Sequence, residues 1–274
     1  MRNYFTLTCL ALILSSSLHA EDSIRVPKVA AADDGFVHLF NGESLDGWSG
    51  SATYWSVEDG AITGKADGTL KRNHFLIWEG APVRNFELRL KVKLSSKGNS
   101  GIQYRSQLRP DIGEYGVSGY QCDVVVKAAK YHGMLYEERG RRILSHTGEK
   151  VVVDPAGQPW VIDTMTVNKP IRDEWQEFRI LARGNHMQHW IDGQPTADLV
   201  DLDESGRSLE GVIAVQVHTG PEMTVQYKDI RIKYLPDDLP LILPSDVQIP
   251  ADAYGVRPQG RLPRDWKPPV FGEQ

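Results

Sequence analysis

The sequence predicts an all-β fold, a two-sheet antiparallel jelly-roll sandwich. Three observations carry that expectation. Apolar residues recur with a period of two in short runs along the chain; turn-forming dipeptides separate the runs; and no segment beyond residue 20 shows a helical period. Such a pattern buries one face of each strand and leaves the other wet, which two packed sheets satisfy.

The elements follow in chain order. Arg2 precedes an apolar stretch at residues 7–14, and Ser15-Ser16-Ser17-Leu18-His19-Ala20 then turns small and polar. Residues 1–20 therefore read as a secretory signal, with an uncleaved anchor as the alternative reading of the same stretch. The expected location is secreted or periplasmic, with no membrane span after cleavage. Cleavage removes Cys9 and leaves Cys122 alone, so no internal disulfide is expected. A lone cysteine is either a nucleophile or a small buried hydrophobe, and the second role is the more frequent one.

Residues 21–35 are small, charged and unpatterned, a flexible lead-in. Residues 36–235 hold the strand pattern and are expected to form one domain. Phe86, Leu88, Leu90, Val92 and Leu94 alternate with Glu87, Arg89, Lys91 and Lys93, the signature of a half-buried strand. Further strands are expected over 101–106, 120–126, 178–182, 186–191, 212–218 and 224–234. Asp59-Gly60 and Asp192-Gly193 sit where tight hairpin turns belong. Residues 236–274 contain half of the chain's 16 prolines, which bars a central strand or a long helix. Leu239, Leu241, Ile242, Tyr254, Trp266 and Phe271 supply apolar anchors, so this tail is expected to lie on the domain as a strap.

The formal net charge of -5 argues against a nucleic-acid partner. The mixed-sign run Glu137-Glu138-Arg139-Gly140-Arg141-Arg142 reads as a solvated loop. His186 and His189 are three apart and face opposite sides of a strand. Asp201-Leu202-Asp203-Glu204 lacks the ligand spacing of a calcium loop and reads as an acidic turn. Trp48, Trp55, Trp78, Trp160, Trp175 and Trp190 are expected mostly in the core or at sheet edges.

Residues two apart on a strand share a face. Gln103 and Arg105 are therefore expected opposite Ile102 and Tyr104. Gln121 and Asp123 fall opposite Tyr120 and Cys122, and Gln216 and His218 opposite Val215 and Val217. In one sheet these pairs would line a polar surface suited to a polyhydroxylated ligand. The same pattern also fits plain solvent-facing positions of an antiparallel sheet.

Several collinear segments resemble a known family. Leu39-Phe40-Asn41-Gly42-Glu43-Ser44-Leu45-Asp46-Gly47-Trp48 is similar to the opening of the 3-keto-disaccharide hydrolase domain. Tyr54-Trp55-Ser56-Val57-Glu58-Asp59-Gly60-Ala61-Ile62 and Asn99-Ser100-Gly101-Ile102-Gln103-Tyr104-Arg105 resemble its next segments. Tyr120-Gln121-Cys122-Asp123, Leu135-Tyr136 and the stretches at 211–218 and 228–232 follow in order. The chain departs from the family at Gln103, where an aromatic is frequent, and at Ala214-Val215-Gln216, where Gly-Leu-Gln is usual.

The resemblance implies a concanavalin-like jelly roll of the lectin and glucanase type, with its site on one sheet. It implies an enzyme cleaving glycosides or disaccharides already oxidised at C3, the oxidation supplied by a partner sugar 3-dehydrogenase. A non-catalytic glycan-binding module is the alternative. Within that reading Asp123 is the expected base, Arg105 the partner of the enolate, and His218 the acid/base for the leaving group. Gln103, Gln121, Tyr136, Gln216 and Glu114 are expected to contact the substrate. No cofactor is expected, and a bound divalent metal is left open.

Overall fold

Strand periodicity dictates the architecture. We describe the chain from a computed structural model, which covers residues 35–95, 98–125, 127–168 and 174–272. The expected signal and all of the lead-in but Gly35 lie outside the described residues. In chain order the strands are β1 (Val37–His38), β2 (Trp48–Ser49), β3 (Trp55–Glu58), β4 (Ala61–Ala66), β5 (His74–Trp78) and β6 (Phe86–Leu94). Then come β7 (Ser100–Leu108), β8 (Val117–Val124), β9 (Leu135–Glu138), β10 (Arg142–Ser145), β11 (Glu149–Val153) and β12 (Pro159–Thr164). The last are β13 (Gln176–Arg183), β14 (His186–Ile191), β15 (Gln194–Asp201), β16 (Val212–Val217), β17 (Met223–Tyr234) and β18 (Tyr254–Gly255). Short 3₁₀ turns are the only helical elements among the described residues.

The strands form two sheets. The larger runs β18-β12-β11-β15-β14-β13-β6-β17-β4-β3, with β1 beside β17, and the smaller runs β10-β9-β8-β7-β16-β5-β2. Pairing is antiparallel throughout except between β11 and β15. This is the expected all-β jelly-roll sandwich. The Asp59-Gly60 and Asp192-Gly193 turns join β3 to β4 and β14 to β15. Along β6 burial alternates without a break, so Phe86, Leu88, Leu90, Val92 and Leu94 all point inward. They meet Ile102, Tyr104, Tyr120, Cys122, Ile213, Val215 and Val217 of the small sheet. Each large apolar side chain so buried contributes about 1.5–3 kcal/mol. Cys122 belongs to this core, and burial raises its thiol well above the ordinary range, so it acts as a small hydrophobe.

The tail runs along the body from residue 236 onward. Asn85 Nδ2 donates to the Pro236 carbonyl at 2.7 Å, and Asn185 exchanges a pair of hydrogen bonds with the backbone of Ile242. Ile242, Val247 and Ile249 cover Val152, Val200 and Leu202 on the outer face of the large sheet. β18 then pairs with β12, and Phe271 meets the edge of Trp160 at 5.3 Å. Among the described residues no helix is long and apolar enough to cross a membrane.

The period-2 rule breaks at a bulge in β7 and at another in β17 around Asp229, and the site depends on the first. In β7 the register against β8 shifts between Tyr104 and Gln107, and Arg105 takes a left-handed backbone with φ of 48°. Tyr104 and Arg105 both point into the interior, and Ser106 emerges on the outer face. The expected pairing of Gln103 with Arg105 on one face is therefore wrong: the bulge sends them to opposite sides. Arg105 is fully buried and donates to the carbonyls of Arg84 and Gly184 and to Asn85 Oδ1. The neighbouring strand leaves room for this bulge at Gly211, where a Cβ would meet backbone atoms of Arg105 and Ser106 at 2.4–2.7 Å. We predict that Gly211→Ala costs about 1–3 kcal/mol in urea unfolding, because the obstructing atoms are main chain. An unchanged midpoint would contradict this placement.

Candidate functional site

The outer face of the small sheet is where the polar strand residues collect. Directly opposed residues on paired strands share a face. Ala214, Gln103, Gln121 and Tyr136 form one such row, and Phe75 and Gln216 face each other in the next row, where Gly101 opposes Asp123. At the Gly101 position a Cβ would fall 2.2 Å from the Gln121 side chain, so the glycine gives that amide its place. Phe75, Ile77, Val117 and Ala214 make a small apolar patch beside the row.

Hydrogen bonds on this face run in one direction. Ser106 Oγ donates to Gln103 Oε1 at 2.7 Å, Gln103 Nε2 donates to Gln121 Oε1 at 2.5 Å, and Gln121 Nε2 donates to Asp123 Oδ1. Each amide accepts at its oxygen and donates at its nitrogen, so the chain fixes both amide orientations and ends on the carboxyl. Asp123 is 5% exposed. Burial pushes its carboxyl up to about 8; the bond from Gln121 opposes that shift, and the charge of Glu138 adds to it.

Asp123 lies in the wall of a cavity of about 450 Å³. Gln121, Tyr136, Glu138 and His218 share that wall, and Lys71, Arg72, Arg139 and Arg142 bring positive charge to it. Arg139 and Arg142 both have left-handed backbones, with φ of 59° and 77°, at the turn joining β9 to β10. Non-glycine residues hold such conformations only where surrounding structure imposes them. Arg142 also sits over the Tyr136 ring at 5.3 Å. One buried amide oxygen remains open to a ligand. Asn99 Oδ1 in the cavity wall has no hydrogen-bond partner among the described residues, whereas Gln216 is buried against Glu138 and hydrogen-bonds its carboxyl. A buried amide oxygen left open costs about 1–3 kcal/mol unless something fills the role.

Four of the eight expected site residues thus come together in one cavity: Asp123, Gln121, Tyr136 and His218. Gln103 stands behind Gln121 as its hydrogen-bond donor. Gln216 is buried beside Glu138. Glu114 lines a neighbouring cavity of about 220 Å³ that shares Arg72, Asn73 and Arg139 with the first. Arg105 is the exception. It faces the opposite side of the sheet, its guanidinium held by carbonyls in the core, so it has no access to this cavity.

The mixed-sign run at residues 137–142 is corrected in part: Arg139, Gly140 and Arg142 form an exposed turn, but Glu137, Glu138 and Arg141 are not solvated. Glu137 and Glu138 are each 8% exposed on β9. Glu137 pairs with Arg141 at 2.9 Å, and Arg141 pairs with Asp201 at 2.6 Å and with Asp203 at 3.2 Å. Tyr120 Oη donates to the same Asp201. The stretch beginning at Asp201 is thus a buried ion-pair anchor as well as a turn. Glu138 is a cavity residue that sequence reasoning missed. It stands two residues after Tyr136 on one strand, so the period-2 rule that grouped Gln121 with Asp123 also places it in the cavity. Burial raises the Glu138 carboxyl, while Arg139, His218 and Arg142 act the other way. The tryptophans fall as expected, with Trp48, Trp55 and Trp160 buried and Trp190 and Trp175 under Arg179 and Lys228.

The Asp123 shift has a consequence for stability. The folded state holds the proton more tightly than the open chain, where the group titrates near 3.8. The cost is absent below that value, grows as pH rises towards about 8, and is full above it. Asp123→Asn keeps an acceptor for Gln121 and removes the ionisation. It is predicted to melt several degrees above the natural protein at pH 9 and to lose most of that advantage by pH 5. Parallel melting curves across this range would contradict the buried carboxyl.

Part of the chain is 35% identical over 108 residues to a 3-keto-disaccharide hydrolase from Bacteroides thetaiotaomicron. That match spans 35% of this chain and 36% of the relative's length. The crystal structure of a provisionally assigned glycosyl hydrolase from Parabacteroides distasonis shares the fold, at 24% identity and a TM-score of 0.50. The overlap covers 74% of this chain and 95% of that one. A family model described as the 3-keto-alpha-glucoside-1,2-lyase-like domain matches residues 35–233, and the chain belongs to that family.

Proposed function

We propose that this protein cleaves the glycosidic bond of sugars already oxidised at C3, outside the cytoplasm, downstream of a dehydrogenase that makes the ketone. One observation carries the reading: a buried carboxyl, raised to about 8, at the end of a directed amide chain in a polar cavity. That is the environment a general base needs if it is to take a carbon-bound proton near neutral pH.

The chemistry follows from the ketone. A C3 carbonyl acidifies the C2 hydrogen. Asp123 takes that proton, and the electron pair passes into the C2–C3 enolate. The enolate then expels the C1 oxygen, forming the C1–C2 double bond, while His218 gives the leaving oxygen a proton. Water adds at C1, C2 regains a proton, and the sum is hydrolysis. No oxocarbenium ion forms, so the two spaced carboxylates of ordinary glycosidases are not required. Lys71, Arg72, Arg139 and Arg142 supply the positive potential for the enolate, the part expected of Arg105. Preorganised charge of this kind acts most strongly where water is displaced. Asn99 offers its open amide oxygen to a sugar hydroxyl.

The test is turnover of a 3-keto-disaccharide against its unoxidised parent. The protein is expected to cleave only the ketone, with kcat/KM rising with pH towards about 8 as Asp123 ionises and falling again once the acid that protonates the leaving oxygen loses its proton. Asp123→Asn should lower kcat by at least about a hundredfold while the protein remains folded. Binding of the parent with turnover of neither sugar would instead favour a glycan-binding module. Near-natural activity in Asp123→Asn would remove the base from this position.

A further inference from the structure

The catalytic cavity does not end at Arg142. A second cavity, of about 690 Å³, opens on the other side of Arg142, Ile143 and Gln259, which line both. Its character differs. Where the first is walled mostly by charges and amides, the second sets Pro159, Val256, Pro258, Trp266 and Pro269 opposite Arg141, Arg142, Gln158 and Gln259. Most of that wall belongs to the tail, beyond residues 35–233 that match the family. The tail is held there by β18 on β12, by Val256 N donating to the Pro159 carbonyl at 3.0 Å, and by Gly255 N donating to the Pro269 carbonyl at 2.8 Å. Gln259 forms the partition between the cavities, with its Oε1 accepting from Arg142 Nε at 3.0 Å and from Tyr136 Oη at 3.4 Å.

A glycosidic bond joins two unlike halves. The oxidised sugar needs a base and polar partners, which the first cavity supplies. The group leaving from C1 must then lie in an adjoining space, and the larger of the two that adjoin the first cavity offers an apolar, aromatic wall from the tail. Trp266 is half-buried, with Arg257 at 5.5 Å from its ring centroid, so one side of the indole is held against the tail. Tryptophan offers a large, rigid apolar face at little entropic cost, which suits a planar ring or the flat side of a sugar.

We propose that this second cavity is the leaving-group subsite of the reaction proposed above, and that the tail selects substrates whose C1 substituent carries an aromatic or apolar face. The inference rests on the 3-keto reading for its kinetics but not for its binding. Gln259 acts as a positioning residue at the border, setting Arg142 and Tyr136 at the junction of the two halves. A small substituent such as methyl leaves the second cavity unused.

The experiment compares phenyl and methyl 3-keto-glucosides, as both anomers, with the natural protein, Trp266→Ala and Trp266→Phe. The ratio of kcat/KM for phenyl over methyl is expected to fall about tenfold in Trp266→Ala and to recover in Trp266→Phe. A ratio that does not move in Trp266→Ala would overturn the proposal. Calorimetric binding of the unoxidised phenyl and methyl glucosides separates the two readings. Should neither ketone be turned over, tighter binding of phenyl glucoside that Trp266→Ala abolishes keeps the subsite and removes the chemistry. Equal binding of both glucosides by the natural protein overturns the subsite outright.

Discussion

The bulge at Arg105 is the constraint on which the remaining structure depends. A regular strand would have sent Arg105 outward beside Gln103 and placed Ser106 in the core. With a left-handed residue inserted, the side chains exchange sides. Inside, the guanidinium reaches across the sandwich to the Arg84 and Gly184 carbonyls and to Asn85. No carboxylate pairs with it among the described residues, and burial lowers its ordinary value to about 10. It stays charged because carbonyl oxygens replace water around it; each such charge-assisted bond is worth about 1.5–3 kcal/mol. Asn85 passes the tie onward, since its amide nitrogen holds the first carbonyls of the tail. One irregular residue therefore links both sheets and the strap.

Outside, the same bulge begins the amide chain. Ser106 can reach Gln103 only because it emerges where Arg105 was expected. From there the orientation of each glutamine is set by its neighbour, and the last nitrogen meets Asp123. A carboxyl so buried titrates high because desolvation outweighs one neutral donor. A salt bridge in the same place would have held it ionised and far less basic. The exposed cations of the cavity stand at its rim instead. In the proposed reaction, separation of the base from the positive charges leaves them to act on charge that develops in the substrate.

Most of the sandwich was legible in the chain, since β6 and β13 alternate cleanly and the Asp-Gly pairs mark two hairpin turns. The pairs Gln121 with Asp123 and Gln216 with His218 were legible for the same reason. Arg105 was not, because a period-2 rule has no term for an inserted residue; the adjacent signals, a left-handed residue and a backbone contact at Gly211, exist only in three dimensions. Strands β9 to β12 were hidden by charge. Glu137, Arg141, Asp201 and Asp203 neutralise one another across strands far apart in sequence, so a buried ion-pair network looks like a wet loop when read along the chain. The role of Gln259 was hidden in a similar way: prolines announced a strap but not which residue it delivers to the cavity.

The central claim is that the bulged strand builds a carboxyl that stays protonated well above the range of an ordinary aspartate. Carbon-13 NMR of the protein labelled at aspartate carboxyl carbons measures this directly, with Asp123→Asn identifying the resonance. The account predicts one carboxyl that titrates near pH 8 and is missing from the variant. A spectrum in which the Asp123 signal titrates near 4, like the exposed carboxylates, would contradict it.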